Sequence, residues 1–296
     1  ILESDSIDLK NSASHFLWCA VSFSSEFRSY LETSGLLASI AKNSSLFYSM
    51  ESLAGDEFVL KQNIAGVLAL LTYYSHQSTE QILQHDPNLL CLKVLSKGGQ
   101  TSAKFERITF ILSLQIALEC CEVDAARAIE GIYNSRIFDT IFRASKQNDT
   151  DIIWQTQLKI LALMTFSVET LIDKWDCEAI ISRLLDYSDK ILAMIQENPY
   201  ATESSQCVSC LAACLWAISS AGVEIDTASS KIILNLLETV DSNTSASEII
   251  AGATGSIVYS NQSIIKEHPQ IVSTLLRVLQ NSESGKVSAT ANAILR

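Results

Sequence analysis

Residues 78–121 read STEQILQHDPNLLCLKVLSKGGQTSAKFERITFILSLQIALECC and begin with two short helical segments that are separated by a break. The first segment, Thr79–Gln84, ends at Asp86-Pro87, because the residue before a proline avoids the helical region and proline suits a first helical turn. Asn88–Leu95 follows as a second helix, which Gly98-Gly99 ends. The stretch therefore predicts two short helices joined by a tight turn.

A long third helix completes this unit. Thr101-Ser102 supplies side-chain oxygens that can cap its first turn. Apolar residues then recur at helical spacing, at Ile108, Ile111, Leu112 and Ile116. The same spacing recurs in four other runs, at residues 61–74, 154–166, 207–218 and 249–259. Continuous alternation of period two is absent, so an all-α fold is predicted.

The same order of segments recurs near the C-terminus. Ser263–Glu267 is a short helix, His268-Pro269 breaks it, and Gln270–Leu279 is the second helix. The long helices begin near Glu57, Ser102, Asp151, Thr202, Ser245 and Lys286, at intervals of about 41–51 residues. A repeat of three helices is therefore predicted, in about five to six copies.

Two passages resemble the armadillo/HEAT-type family of helical repeats. Gln81-Ile82-Leu83 followed by Leu89-Leu90-Cys91-Leu92 resembles the family's short helix and leucine-rich helix. Trp216-Ala217-Ile218-Ser219-Ser220 is similar to the Trp-Ala-Leu-Ser-Asn run on the family's third helix. The resemblance implies that residues 1–296 form one armadillo-like repeat domain, a right-handed α-solenoid within a longer chain. The third helices would line its groove.

The resemblance does not extend to the peptide-binding pairs of nuclear-import armadillo proteins. Those proteins hold basic peptides through Trp and Asn residues repeated along successive third helices. Here only Trp216 fits, and Ser220 stands at the Asn position. Gly66 and Phe110 stand near the Trp position on other third helices. We therefore do not expect this chain to recognise import cargo in that way.

The charge balance limits the possible partners. The sequence has 33 acidic and 21 basic residues and a formal net charge of −12. Binding to nucleic acid or to an anionic membrane surface needs a basic surface, so neither is expected as a partner. No apolar run reaches 18 residues without a polar break, so no membrane span is predicted. A protein or peptide partner remains the expectation.

The cysteines are predicted to be core residues. Seven of the eight lie inside apolar helical runs, where free cysteine behaves as a small hydrophobe. Cys207, Cys210 and Cys214 could suggest a metal site, but their spacing continues into Leu211 and Ile218 as one apolar stripe. We expect reduced, metal-free thiols and therefore the cytoplasm or the nucleus as the location.

No enzymatic function is predicted. The four histidines are scattered along the chain, and the fingerprints of serine hydrolases, P-loop proteins and dinucleotide-binding proteins are absent. Acidic residues before the long helices, as at Asp149-Thr150-Asp151, suit helix capping better than calcium binding. No cofactor and no catalytic residue are therefore expected.

A candidate partner-binding surface consists of basic and amide residues on consecutive third helices. These residues are Lys61, Gln62, Lys104, Arg107, Gln155 and Lys159. Trp154 and Trp175 flank polar residues and are expected at the surface. Trp154 is also included as a partner contact, because tryptophan is enriched at interface hot spots. Trp18 is expected in the core. These polar residues are either the solvated sides of amphipathic helices or a surface for an acidic or extended ligand.

These observations favour a monomeric, non-enzymatic scaffold or adaptor that holds a protein or peptide in its groove. Two alternatives stay open. One is an Hsp70-type chaperone cofactor that promotes nucleotide exchange, which nucleotide-release kinetics would identify. The other is an armadillo-like regulator of actin nucleation, which an actin-assembly assay would identify.

Overall fold

The computed structural model describes residues 4, 6–51, 58–97, 104–142, 150–167, 177–198, 202–221, 245–260 and 263–281. Within these ranges the regular structure is helical and contains no strand, which confirms the all-α prediction. The chain divides into two compact units, residues 1–160 and residues 161–296.

The first unit contains ten helices and the beginning of an eleventh among its described residues. They are α1 (Ile7–Phe23), α2 (Ser25–Thr33), α3 (Leu36–Lys42), α4 (Ser44–Glu51), α5 (Phe58–Tyr74), α6 (His76–His85), α7 (Leu90–Leu95), α8 (Lys104–Val123), α9 (Ala125–Asn134), α10 (Phe138–Phe142) and α11 (Asp151–Ser167). The division between the units falls inside α11.

In the part of the second unit that the structure describes, five further helices follow. They are α12 (Cys177–Glu197), α13 (Thr202–Ser220), α14 (Ser245–Ser260), α15 (Ser263–Glu267) and α16 (Gln270–Asn281). The predicted starts of the long helices at Glu57, Ser102, Asp151, Thr202 and Ser245 therefore agree with α5, α8, α11, α13 and α14 to within two residues. The predicted start at Lys286 lies outside the described residues.

Long helices form the core of the first unit. α5 packs against α1 on one side and against α8 on the other, while α6 and α7 also contact it. Most of its circumference is therefore covered, and even polar Asn63 is buried. The Asn63 amide donates to Ser14 Oγ at 3.1 Å and to the Asn11 carbonyl at 3.4 Å, so its nitrogen is paired despite burial.

The predicted break at Asp86-Pro87 is present and has a clear structural basis. The Asp86 carboxylate accepts from the backbone N–H of Leu90 at 2.8 Å and of Cys91 at 2.9 Å, which caps α7. Leu89 adopts a left-handed conformation with φ of 46°, so α7 begins two residues later than the predicted start at Asn88. The predicted stop at Gly98-Gly99 and the cap at Thr101-Ser102 lie outside the described residues.

The described region before α13 is one long helix, α12. α12 continues for 21 residues without interruption. No proline or glycine occurs in it, and its buried residues Ile180, Leu184, Tyr187 and Ile191 keep one apolar stripe from end to end. One long amphipathic helix therefore precedes α13, and residues 168–176, between α11 and α12, lie outside the described residues.

Candidate partner-binding surface

Three long helices carry the residues predicted to contact a partner. Gln62 on α5 is half-buried, and Arg107 on α8 is exposed. Gln155 and Lys159 on α11 lie one helical turn apart, and both are half-buried. These four side chains are accessible, as a binding surface requires. Lys104 is the first residue of α8, and its side chain lies outside the described residues.

Lys61 is not accessible. Its side chain is 3% exposed, because the face of α5 that carries it is covered by neighbouring helices. The expectation that Lys61 belongs to an exposed basic surface is therefore wrong. Adjacent residues on a helix point about 100° apart, so the half-buried Gln62 can reach solvent where Lys61 cannot.

Trp154 is also buried, which corrects its assignment as a surface residue. Its side chain is 2% exposed, and its indole N–H donates to Asp151 Oδ1 at 3.0 Å. A local carboxylate therefore satisfies the only donor of the ring, which makes burial inexpensive. The sequence contained the signal, because Leu158 and Leu161 continue the apolar stripe at i+4 and i+7 from Trp154. Trp175 lies outside the described residues.

The charged residues are distributed unevenly along α8. Arg107 lies near its N-terminal end, whereas Glu119 and Glu122 lie near its C-terminal end. Burial raises the pKa of the Glu119 carboxyl, while a hydrogen bond from the Gln115 amide opposes this effect. Glu106 lies beside Arg107 in the first turn, so the described charges are mixed at the N-terminal end of α8 and acidic at its C-terminal end.

Two indole rings lie on glycines of the next long helix. Trp18 on α1 covers Gly66 on α5, where an added Cβ would be 2.5 Å from the ring. Trp216 on α13 covers Gly252 on α14 in the same way, at 2.9 Å. Both indoles are half-buried, so Trp18 packs against a core helix as expected but keeps part of its ring exposed.

A sequence signal for this pairing exists. Each tryptophan is followed four residues later by a serine, Ser22 or Ser220, and each glycine ends an Ile-Ala-Gly tripeptide, at residues 64–66 and 250–252. The serines differ in their contacts: Ser22 Oγ donates to the Trp18 carbonyl within α1 at 2.7 Å, whereas Ser220 Oγ lies 3.1 Å from Ser256 Oγ on α14. The two helix pairs, one in each unit, therefore share the tryptophan–glycine contact.

Aromatic side chains form an exposed patch on α1, α2 and α5. The Phe16 and Phe27 rings meet edge to face with centroids 6.4 Å apart, and Tyr30 lies 6.2 Å beyond Phe27. The Arg28 guanidinium lies 4.2 Å from the centroid of the Tyr74 ring. Aromatic residues and arginine are enriched at the centres of protein interfaces. Sequence spacing alone did not reveal this patch, because its members come from three helices.

The cysteine stripe on α13 is part of the core, with one exception. Cys207 and Cys214 are buried, whereas Cys210 is half-buried. Burial raises the pKa of the Cys214 thiol far above its usual range. Among the residues that the structure describes, no three His, Cys, Asp or Glu side chains lie close enough together to hold a metal ion.

Thiol labelling should separate these cysteines into two classes. Burial raises the pKa of Cys121 to about 12 and that of Cys91 and Cys120 well above the usual range, so little thiolate forms at neutral pH. We expect Cys19 and Cys210 to react first with a disulfide reagent, and the buried thiols only after unfolding. Peptide mapping by mass spectrometry, with and without urea, measures this order. Equal labelling rates in the folded protein would contradict the described packing.

The sequence matches no family model, and no curated protein matches it. The structure is similar to the crystal structure of an engineered protein from the Northeast Structural Genomics Consortium, with a TM-score of 0.57. The match covers 88% of this chain and 94% of that chain, at 13% sequence identity. At this identity the likeness concerns the fold and not the function. Among the helices described, none combines the length and apolarity that a membrane crossing requires.

Proposed function

We propose that this chain is a non-enzymatic protein-binding scaffold or adaptor of the armadillo/HEAT type, in which a right-handed α-solenoid holds a partner protein or peptide along its long helices. The observation that supports it best is the packing order of those helices. α1 contacts α5, α5 contacts α8, and α13 contacts α14, although shorter helices or other segments lie between them in sequence. Nearest-neighbour packing of equivalent helices is how repeat proteins build one continuous core.

Accessible polar residues on these helices support the binding role. Gln62, Arg107, Gln155 and Lys159 lie on three successive long helices and are not needed to fill the core. Side-chain amides can bind the backbone of an extended peptide, and the two cations favour an acidic one. The alternative is a solvated helix face without a partner, and a charge-reversal variant distinguishes it from a binding surface.

Reversing two charges should remove the partner without unfolding the chain. We expect Arg107→Glu/Lys159→Glu to weaken partner binding at least about tenfold, since exposed ion pairs contribute up to about 1 kcal/mol each and reversal adds repulsion. The partner is first recovered by affinity purification, and its dissociation constant is then measured by calorimetry with purified proteins.

A matched control carries the same charge change elsewhere. Lys266→Glu/Arg277→Glu reverses two exposed cations on α15 and α16 and should bind the partner normally. Circular dichroism and thermal unfolding check that both variants are folded. If Arg107→Glu/Lys159→Glu retains full affinity, the partner binds to another surface, and the exposed aromatic residues of α1, α2 and α5 become the first alternative.

Solution scattering tests the proposed solenoid. Stacked repeats lengthen in one direction, so the radius of gyration should exceed the value of about 19 Å that a compact monomer of this length would have. The molecular mass from the same measurement should be that of a monomer. A monomer with a radius of gyration of about 19 Å would be too compact for a solenoid.

A further inference from the structure

A polar pocket lies between α3, α4, the turn from α6 to α7, α7 and the end of α9. Its volume is about 460 Å³. The side chains in its lining that can bind an anion are Lys42, Lys93, Asn88, Asn134, Tyr48 and His85. None of them belongs to the candidate partner-binding surface on the long helices.

Both lysines are available to a ligand. Lys42 is exposed at the end of α3, and Lys93 is half-buried on α7. Neither forms an ion pair within the part of the chain that the structure describes. Placing a cation in the last turn of a helix is favourable by itself, so their positions alone do not show a site. They differ from other surface lysines because they line a pocket that also contains the amides of Asn88 and Asn134.

One carboxylate lines the pocket among the described residues, and it is already engaged. Both oxygens of Asp86 accept backbone N–H groups at the start of α7, at 2.8 and 2.9 Å, and the side chain is buried. Its negative charge therefore faces the N-terminal end of α7, where the helix dipole stabilises it. Besides Asp86 and the two lysines, the titratable groups in the lining are His85 and Tyr48. The groups available to a ligand are thus mainly hydrogen-bond donors.

We propose that this pocket binds a phosphate group, carried either by a phosphorylated side chain or by a free small phosphate. A phosphate monoester carries a charge of about −1.5 to −2 at pH 7, which two ammonium groups can neutralise, whereas a carboxylate carries only one charge. The lysine ammonium groups and the amides of Asn88 and Asn134 offer donors to its oxygens. The volume lies within the range of small-molecule sites, so it admits the phosphate and part of its carrier. This site goes beyond the proposed scaffold function and does not depend on it.

Calorimetry with O-phospho-L-serine and with inorganic phosphate tests the site on the 296-residue chain in low-salt chloride buffer. We expect saturable binding that Lys42→Gln/Lys93→Gln weakens at least about tenfold, because both cations are lost. Lys266→Gln/Arg277→Gln removes two exposed cations elsewhere and should leave affinity unchanged. Tighter binding of O-phospho-L-serine than of inorganic phosphate would indicate a phosphorylated side chain, and equal affinity a free phosphate.

A second variant keeps the test decisive if the lysine variant is poorly folded. Asn134→Asp places a negative charge in the exposed wall of the pocket and should weaken phosphate binding with little effect on thermal unfolding. The proposal is overturned if neither phosphate binds, if both pocket variants bind as tightly as the unaltered chain, or if L-glutamate binds as tightly as O-phospho-L-serine.

Discussion

Replacing Trp154 with alanine should lower the free energy of unfolding by about 3–5 kcal/mol, the range typical of a large buried aromatic side chain. The indole is 2% exposed and is among the largest fully buried side chains of the described residues. Its loss also leaves Asp151 without the indole N–H as a donor. Urea denaturation followed by circular dichroism measures the change.

A neighbouring residue provides the control. Ile152 lies two positions away on α11, but its side chain is 62% exposed. Ile152→Ala should therefore change the free energy of unfolding by no more than about 0.5 kcal/mol. If Trp154→Ala instead leaves stability intact and reduces partner binding, the indole is an interface anchor and the burial described above does not represent the protein in solution.

Replacing Gly66 with alanine should destabilise the first unit, although alanine is the better helix former. An added Cβ would lie 2.5 Å from the Trp18 ring, and two aromatic torsions leave that ring little freedom to move. Overpacking typically costs about 1–3 kcal/mol, whereas the helix propensity of alanine returns about 1 kcal/mol. We therefore expect a net loss of stability of up to about 2 kcal/mol in urea denaturation.

A double-mutant cycle separates the clash from other effects. In a Trp18→Ala background the ring is absent, so Gly66→Ala should be neutral or stabilising there. The same cycle on Trp216 and Gly252 is the internal replicate in the second unit. An equal loss of stability with and without the Trp18 ring would falsify the packing assigned to this contact.

The positions of the long helices were predictable because their signal is local. Apolar spacing marks α5, α8, α11, α13 and α14, and a proline marks the turn before α7. These patterns depend only on the geometry of one helix and on the lack of a backbone donor in proline. α12 carries a local signal as well, because it contains no proline or glycine and keeps one apolar stripe over 21 residues.

The candidate surface was predicted less well, because exposure depends on neighbouring helices. Lys61 and Gln62 are adjacent polar residues on α5, and only the packing of α5 between α1 and α8 makes one inaccessible and the other half-buried. Trp154 was assigned from its polar sequence neighbours instead of its helical ones. The pocket proposed to bind phosphate combines residues from four helices and a turn, so no single stretch of sequence could indicate it.

The tryptophan–glycine contacts also limit how segments of this chain could be exchanged. Trp18 requires a residue without a side chain at the facing position of the next long helix, and Trp216 requires the same. If α1 were joined to a helix with a larger residue at the position of Gly66, the Cβ of that residue would clash with the Trp18 ring. α5 and α14, which both present glycine within an Ile-Ala-Gly run, would accept either partner at this contact. The smallest interchangeable module is therefore a matched pair of long helices, because a swap that divides such a pair would place a Cβ against the indole.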